Sequence, residues 1–413
     1  MMLHWILSRM IMRGTLTVRY PDGSIRRYQG KFPGPEAGCA LTTWAATRRL
    51  VLNPGLGLGE CYMDGTFQPL DCSLYEVFDV LALNLMEGGG HSIEAFMEWW
   101  RYAKRHLDQI NPASRSRRNV AHHYDLNGRL YSLFLDRDRQ YSCAYFPNGN
   151  ETLEEAQLLK KRHIAAKLKL DRPDLSVLDI GCGWGGMALM LAKDYGCRVT
   201  GITLSTEQLE VARQRAEEMG LSDRVRFELM DYRAWQQPVD RIVSVGMFEH
   251  VGIGHYKTFF KTVKNALKED GVALIHSIGR SDGPGGTNSW IQKYIFPGGY
   301  SPALSEVVPV VEKSGLWVTD IEILRLHYAR TIAHWRRRFA ANRDTIQAIY
   351  DERFCRMFEF YLVASELYFR HMGGMNFQIQ LTRKLETLPL SRDYMIDNER
   401  EKNTINAQVL KDA

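Results

Sequence analysis

From about residue 119 onward, short apolar runs alternate with longer segments of helical spacing. The apolar runs fall at 176–180, 198–203, 224–229, 241–246 and 272–278, with helical patterns at 187–194, 205–219 and 256–269 between them. Apolar strand candidates separated by helical segments suit a parallel sheet with crossover helices. The alternation predicts an α/β, doubly wound fold. Thr152 to Lys169 predicts a helix ahead of the first strand. A helical insertion spans about 340 to 371, and Phe377 to Leu381 reads as a last strand. The chain shows no internal repeat and no low-complexity segment.

Residues 1–108 follow another pattern and read as a smaller N-terminal α+β domain. Thr15 to Tyr20 and Ser24 to Tyr28 alternate around Pro21-Asp22-Gly23, which predicts a hairpin. Glycines cluster at 54–59, Glu87-Gly88-Gly89-Gly90 marks a loop, and Ile93 to Leu107 is a helix candidate. Residues 109–118, with Arg115, Arg117 and Arg118, form a polar, basic linker; 119–413 is the second domain. The first dozen residues (Met2, Leu3, Trp5, Ile6, Leu7, Met10, Ile11) are apolar but too few to span a bilayer. No small-residue cleavage site clearly follows them. They read either as a helix packed on its own domain or as one lying on a membrane surface.

Composition narrows the class. With 413 residues, 45% hydrophobic and 24% charged, the chain has the make-up of a globular protein with a large core. A net charge of +5 is too weak to argue for nucleic acid, but it is compatible with an anionic membrane surface. The seven cysteines form no CxxC pair, so neither a disulfide framework nor a zinc site is expected, and a reducing cytoplasm is. The histidines show no HExxH or His-x-His spacing, and no catalytic metal is expected.

The stretch Val177-Leu178-Asp179-Ile180-Gly181-Cys182-Gly183-Trp184-Gly185-Gly186 is a buried strand running through a glycine turn into a helix. Glycines let backbone approach a ligand, and the next helix aims its positive end at the same place. Such a turn alone also fits a dinucleotide. A dinucleotide site then needs an acid about 20 residues on for the ribose, and the second strand ends instead in Thr203-Leu204-Ser205-Thr206-Glu207-Gln208. The third strand ends in Asp231-Tyr232, an acid able to accept from an adenine amino group and a ring able to cover the base. That combination suits S-adenosylmethionine. The plainer alternative leaves Asp231 a helix cap and Gln208 a surface residue.

In order along 119–385, several segments together resemble the cyclopropane fatty acid synthase family, which includes the mycolic acid cyclopropane synthases. They are His122-His123-Tyr124-Asp125, Tyr141-Ser142-Cys143-Ala144-Tyr145-Phe146, the glycine turn, Gly201-Ile202-Thr203-Leu204-Ser205 with Gln208, and Phe248-Glu249-His250-Val251-Gly252. After them come His276-Ser277-Ile278-Gly279, Tyr294-Ile295-Phe296-Pro297-Gly298-Gly299 and His327-Tyr328-Ala329. The N-terminal unit resembles, more loosely, the extra domain of the phospholipid-modifying branch. The resemblance implies a class I methyltransferase fold, Rossmann-like, and transfer of a methylene from S-adenosylmethionine to a cis double bond of an unsaturated phospholipid acyl chain. It implies Tyr141, Ser142, Gly181, Gly183, Thr203, Gln208 and Asp231 near the cofactor, to which Tyr232 is added from the reading above. It further implies Cys143, Glu249, His276, Ile278 and Tyr328 around a bicarbonate ion that serves as base. It leaves a homodimer open.

This chemistry needs no protein nucleophile, because the sulfonium methyl is already electrophilic. Cys143 therefore has no covalent role, and Cys182 is read as packing. The site must align methyl and alkene, exclude water around a carbocation and take up a proton. Tyr145, Phe146, Phe248, Trp290 and Phe296 are candidates for facing the cation, or ordinary core residues. Glu249 is read as holding the ion's own O–H, as a direct general base, or as a buried structural acid. Basic clusters at 101–106, 115–118, 160–162 and 336–338 are candidate headgroup contacts or merely solvated. A cytoplasmic enzyme peripherally bound to the inner membrane follows. The competing expectations are a related enzyme leaving a methyl branch or methylated alkene, an inactive lipid-binding protein, and an NAD-dependent dehydrogenase.

Overall fold

The computed structural model describes residues 2–87 and 128–409, side chains of 86–87 and 402–409 excepted. The helix expected at 93–107, the linker 109–118, the basic clusters 101–106 and 115–118, and the His122-His123-Tyr124-Asp125 motif lie outside them. The chain forms two compact units, the first from 1–105, 285–297 and 332–374, the second from 106–284, 298–331 and 375–413. The second domain is thus not the continuous stretch expected from 119.

The first unit holds a four-stranded sheet of order β2-β1-β3-β4, with β1 Arg13–Arg19, β2 Ile25–Gln29, β3 Phe32–Leu41 and β4 Phe67–Pro69. The expected hairpin is there: β1 pairs antiparallel with β2 (Thr15 opposite Gln29), and Gly23 takes a positive φ of 81° at the turn. Strand β3 escaped the sequence reading because Pro33, Gly34, Pro35 and Gly38 interrupt it. Helix Met2–Met10 buries Leu3 and Leu7 and leaves Met2 and Trp5 exposed, so one face packs and the other meets solvent.

The later segments join this unit by apolar packing. Helix Glu352–His371 sets Phe360 edge-on to Phe78 at 5.2 Å, and Glu359 accepts a 2.7 Å hydrogen bond from the Tyr62 hydroxyl. Trp290 packs on Phe360 at 4.4 Å, and a Cβ at Gly59 would stand 2.3 Å from the Trp290 indole nitrogen. Only a glycine admits that approach.

The second unit is built on a seven-stranded sheet of order β10-β11-β9-β8-β5-β6-β7. Its strands are β5 Ser176–Ile180, β6 Arg198–Thr203, β7 Val225–Leu229, β8 Val239–Val245, β9 Leu267–Arg280, β10 Trp317–Leu324 and β11 Gly374–Thr382. Strands β5 to β9 pair in parallel and β10 pairs antiparallel with β11, giving a Rossmann-like sheet with an antiparallel edge. The helix expected over 256–269 ends at Ala266, because Leu267 already pairs with Val239. Strand order reverses at β5, whose neighbours are β6 and β8; ligands of such sheets bind outside the strand ends at that reversal.

Candidate active site

The glycine turn leaves β5 at that point. Gly181, Gly183 and Gly185 have φ values of 81°, 54° and 84°, a region that glycine enters without steric cost. A Cβ at Gly181 would press to 2.8 Å on Met247, whereas one at Gly183 would meet nothing within 4 Å. Gly183 therefore presents bare backbone to an open face. Helix Gly186–Tyr195 starts directly after, with the partial positive charge of its N-terminus on this side. Asp179 is buried just before the turn, and its Oδ2 has no hydrogen-bond partner among the described residues. Burial pushes its carboxyl up to about 7, against the pull of Lys160.

The neighbouring strand ends supply further polar groups. The Thr203 hydroxyl donates to Gln208 Oε1 at 3.0 Å, and Ser205 caps helix Thr206–Glu218 by accepting from the Gln208 N–H. Gln208 is buried, not a surface residue. Asp231 caps the turn Tyr232–Ala234 and pairs with the Arg233 guanidinium through both oxygens, at 2.8 and 2.5 Å. Tyr232 stands edge-on to Phe259 at 5.3 Å.

The segment Tyr141-Ser142-Cys143 is held from helix Leu153–Lys167. Lys160 is fully buried; its ammonium donates to Gln140 Oε1 at 2.6 Å and to Ser142 Oγ at 2.9 Å, and Gln157 Nε2 donates to the Ser142 carbonyl at 3.0 Å. Tyr141 packs edge-on to Tyr131 at 5.5 Å. The cluster 160–162 accordingly cannot meet headgroups: all three side chains are buried, and Lys161 pairs with Asp138 at 2.6 Å. Its place on the stripe Leu153, Ala156, Lys160, Ile164 was the available sign that position 160 faces inward. In the other described cluster Arg336 pairs with Glu366, leaving Arg337 exposed.

Among the residues expected around an anion, Glu249 and Ile278 touch. The Ile278 N–H donates to Glu249 Oε1 at 2.6 Å, so that N–H is already engaged by the acid. Glu249 Oε2 is buried without a hydrogen-bond partner among the described residues. Burial pushes the carboxyl up to about 7, which the Ile278 N–H and Ser277 hydroxyl only partly offset. His276 lies two residues before Ile278 on the same face of β9, with its ring nitrogens 3.1 Å from Gln378 Nε2 and 3.2 Å from Asn376 Nδ2. Burial and the nearby lysines drive its pKa down to about 3, so the ring is neutral.

Tyr328 is buried in the first turn of helix His327–Ala341. That turn is tied to the segment after Cys143: Ala144 N–H donates to Thr331 Oγ1 at 3.0 Å and Phe146 N–H to His327 Nδ1 at 2.9 Å. The Cys143 thiol is fully buried, and burial raises its pKa far out of the nucleophile range. Tyr145 is stacked between His163 (4.2 Å) and His327 (4.9 Å), and Phe248 stacks on Tyr256 at 4.5 Å inside the core. Trp290 and Phe296 belong to the first unit. Sequence reasoning passed over Gln140, Gln157, Asn376 and Gln378.

Comparison with known proteins matches residues 112–379 to the family described as mycolic acid cyclopropane synthetase. The cyclopropane-fatty-acyl-phospholipid synthase of Escherichia coli K12 is 38% identical over 341 residues, covering 82% of this chain and 86% of that protein. The tuberculostearic acid methyltransferase UfaA1 of Mycobacterium tuberculosis is 34% identical over 341 residues, covering 79% and 78%. A solved structure of mycolic acid cyclopropane synthase CmaA1 with SAH and CTAB superposes with a TM-score of 0.61 at 33% identity, covering 66% of this chain and 99% of that one.

Proposed function

From its membership of the mycolic acid cyclopropane synthetase family, which makes it an S-adenosylmethionine-dependent methyltransferase, we propose that this chain converts a cis double bond of an unsaturated phospholipid acyl chain into a cyclopropane. The observation that carries the reading is the pair formed by the bare backbone of Gly183 and the half-satisfied acid Glu249. The first offers room for a ligand at the switch point; the second keeps a buried, unpaired oxygen for a proton-bearing partner.

The open cradle fits the cofactor, whose sulfonium supplies an electrophilic methyl when bound. Gly181, Gly183 and the helix N-terminus would take its amino-acid end. Thr203, Gln208, Asp231 and Tyr232 would take its nucleoside, and Tyr141 and Ser142 would close over it. Aligning methyl and alkene lowers the barrier by up to roughly 7–11 kcal/mol. The carbocation then needs a dry surrounding and a base.

The donor set also fits a small anion such as bicarbonate, which when bound would supply that base. Glu249 Oε2 would accept the anion's O–H, which removes the like-charge objection to an acid at this place. His276 and Tyr328 would donate to it, beside the backbone at Cys143, while the Ile278 N–H stays on Glu249 Oε1 and orients that acid. Glu249 as direct base remains the alternative within the same site.

Among the described residues no helix is long and apolar enough to cross a membrane. We place the protein in the cytoplasm, on the inner membrane surface, with Met2 and Trp5 as candidate contacts and a homodimer as one assembly. A second reading, a methyl-branched or methylated-alkene product, has support in the tuberculostearic acid methyltransferase relative. One experiment decides: labelled S-adenosylmethionine with unsaturated phospholipid vesicles, then mass and proton spectra of the acyl chains. A gain of one CH2 with loss of alkene protons supports the ring. Retained alkene protons or a branch methyl supports the rival, and no label transfer removes both.

A further inference from the structure

The ring of His276 is bracketed by two amides, and one of them is fixed from behind by a buried lysine. Lys167 Nζ donates to Gln378 Oε1 at 2.8 Å, and both residues are buried. An ammonium has only donors, so the Gln378 amide cannot turn its NH2 toward Lys167. Gln378 Nε2 therefore faces His276 Nδ1, at 3.1 Å, and Nδ1 must accept. A neutral imidazole carries one hydrogen, which is left for Nε2.

The third residue agrees independently. Asn376 Nδ2 lies 3.2 Å from His276 Nε2, while Asn376 Oδ1 is buried without a hydrogen-bond partner among the described residues. The orientation of an amide is decided by its hydrogen bonds. Turning the Asn376 amide over places Oδ1 against the Nε2 hydrogen. That change removes the donor-to-donor contact and gives the oxygen a donor.

We infer that Lys167 and Gln378 are positioning residues that hold His276 as the Nε2–H tautomer, with Asn376 Oδ1 as the resting acceptor of that hydrogen. The inference deepens the proposed anion site, since it allots His276 one hydrogen to share between Asn376 and an anion. It explains why polar side chains occupy 376 and 378 in a strand whose intervening residues, Phe377 and Ile379, are core.

The test is a long-range 1H–15N spectrum of histidine-labelled full-length protein at pH 7, with the His276 signals identified by their loss in His276→Asn. The Nε2–H pattern is expected in the wild type. Gln378→Glu puts an acceptor opposite Nδ1, and is expected to move the proton there or to charge the ring. Turnover should fall roughly 10- to 100-fold, as when a partner orienting a ligand imidazole is removed, with little change in KM. A wild-type Nδ1–H pattern overturns the inference whether or not any variant folds, and so does an unchanged pattern in folded Gln378→Glu. A switched tautomer with unchanged turnover upholds the inference and instead removes His276 from the proposed chemistry.

Discussion

Glu249 receives the backbone N–H of Ile278 at 2.6 Å on one carboxylate oxygen and keeps the other buried and unpaired. The arrangement fixes the acid's direction without satisfying it. Its carboxyl is raised to about 7 from an ordinary 4.5, so the folded state binds the proton more tightly than the unfolded chain. The sign follows: this stabilising protonation is present below about pH 4.5 and is lost as pH rises through 7. At pH 8 the ionised, buried acid costs on the order of 3 kcal/mol. Glu249→Gln should therefore raise the melting temperature at pH 8 while lowering turnover by roughly 100-fold or more, within the span of lost general acid–base help. Binding of the demethylated cofactor should be unchanged. Unchanged turnover would leave Glu249 a structural acid.

Gly183 tests the cofactor site. Its φ of 54° and its empty surroundings mean that a side chain there strains the backbone by about 1–2 kcal/mol and projects into the cradle. Gly183→Val should remain folded by circular dichroism and lose calorimetric binding of the demethylated cofactor. Gly220, also at positive φ with nothing around it, supplies the control: Gly220→Val carries similar strain and should bind normally. Normal binding by Gly183→Val would move the cofactor elsewhere.

What the sequence made legible was local. The glycine turn needs only a run of ten residues, and β5 and β6 begin and end where the apolar runs do. What stayed hidden depends on partners distant in sequence. Strand β3 carries prolines and glycines that read as loop, and edge strand β10 is half-exposed. Strand β11 is legible as a strand, yet nothing local shows that its polar positions Asn376, Gln378, Gln380 and Thr382 are buried as well. Lys160 reads as one of a basic cluster, and only the fold shows Gln140 and Ser142 waiting for its ammonium.

Lys160 gives the third prediction. Burial lowers its pKa to about 8, so at pH 7 the charge is retained at a cost that relaxes as pH rises from 8 toward 10.5. Lys160→Met removes that cost and also the donor for buried Ser142 and half-buried Gln140, a loss of about 1–3 kcal/mol, so stability should change little. Ser142, freed from its donor, should no longer hold the cofactor segment. KM for S-adenosylmethionine should rise roughly 10-fold, the equivalent of one such hydrogen bond, with kcat nearly kept. A fall in melting temperature with unchanged KM would assign Lys160 to stability alone.

His163 sits between two acids, its Nδ1 against Glu399 and its Nε2 2.6 Å from Glu322, with Lys167 also on Glu322. Tyr145 covers one face of its ring. The carboxylates raise its pKa above the ordinary 6.5 despite burial and the Lys167 charge. A raised histidine contributes stability that is fully present below pH 6.5 and disappears as pH rises through the folded value. Glu399 lies on the terminal helix Asp393–Val409, so the contribution bears on how that helix is held. Hydrogen exchange across 393–401 should therefore quicken from pH 6 to pH 9 beyond the intrinsic rate change. Residues 206–218, in a helix without this clasp, provide the reference. In His163→Gln the neutral amide keeps hydrogen bonds but cannot lose a proton, and the excess quickening should vanish. If it persists, the pH dependence of the terminal helix originates in another group, and the His163–Glu399 pair is packing alone.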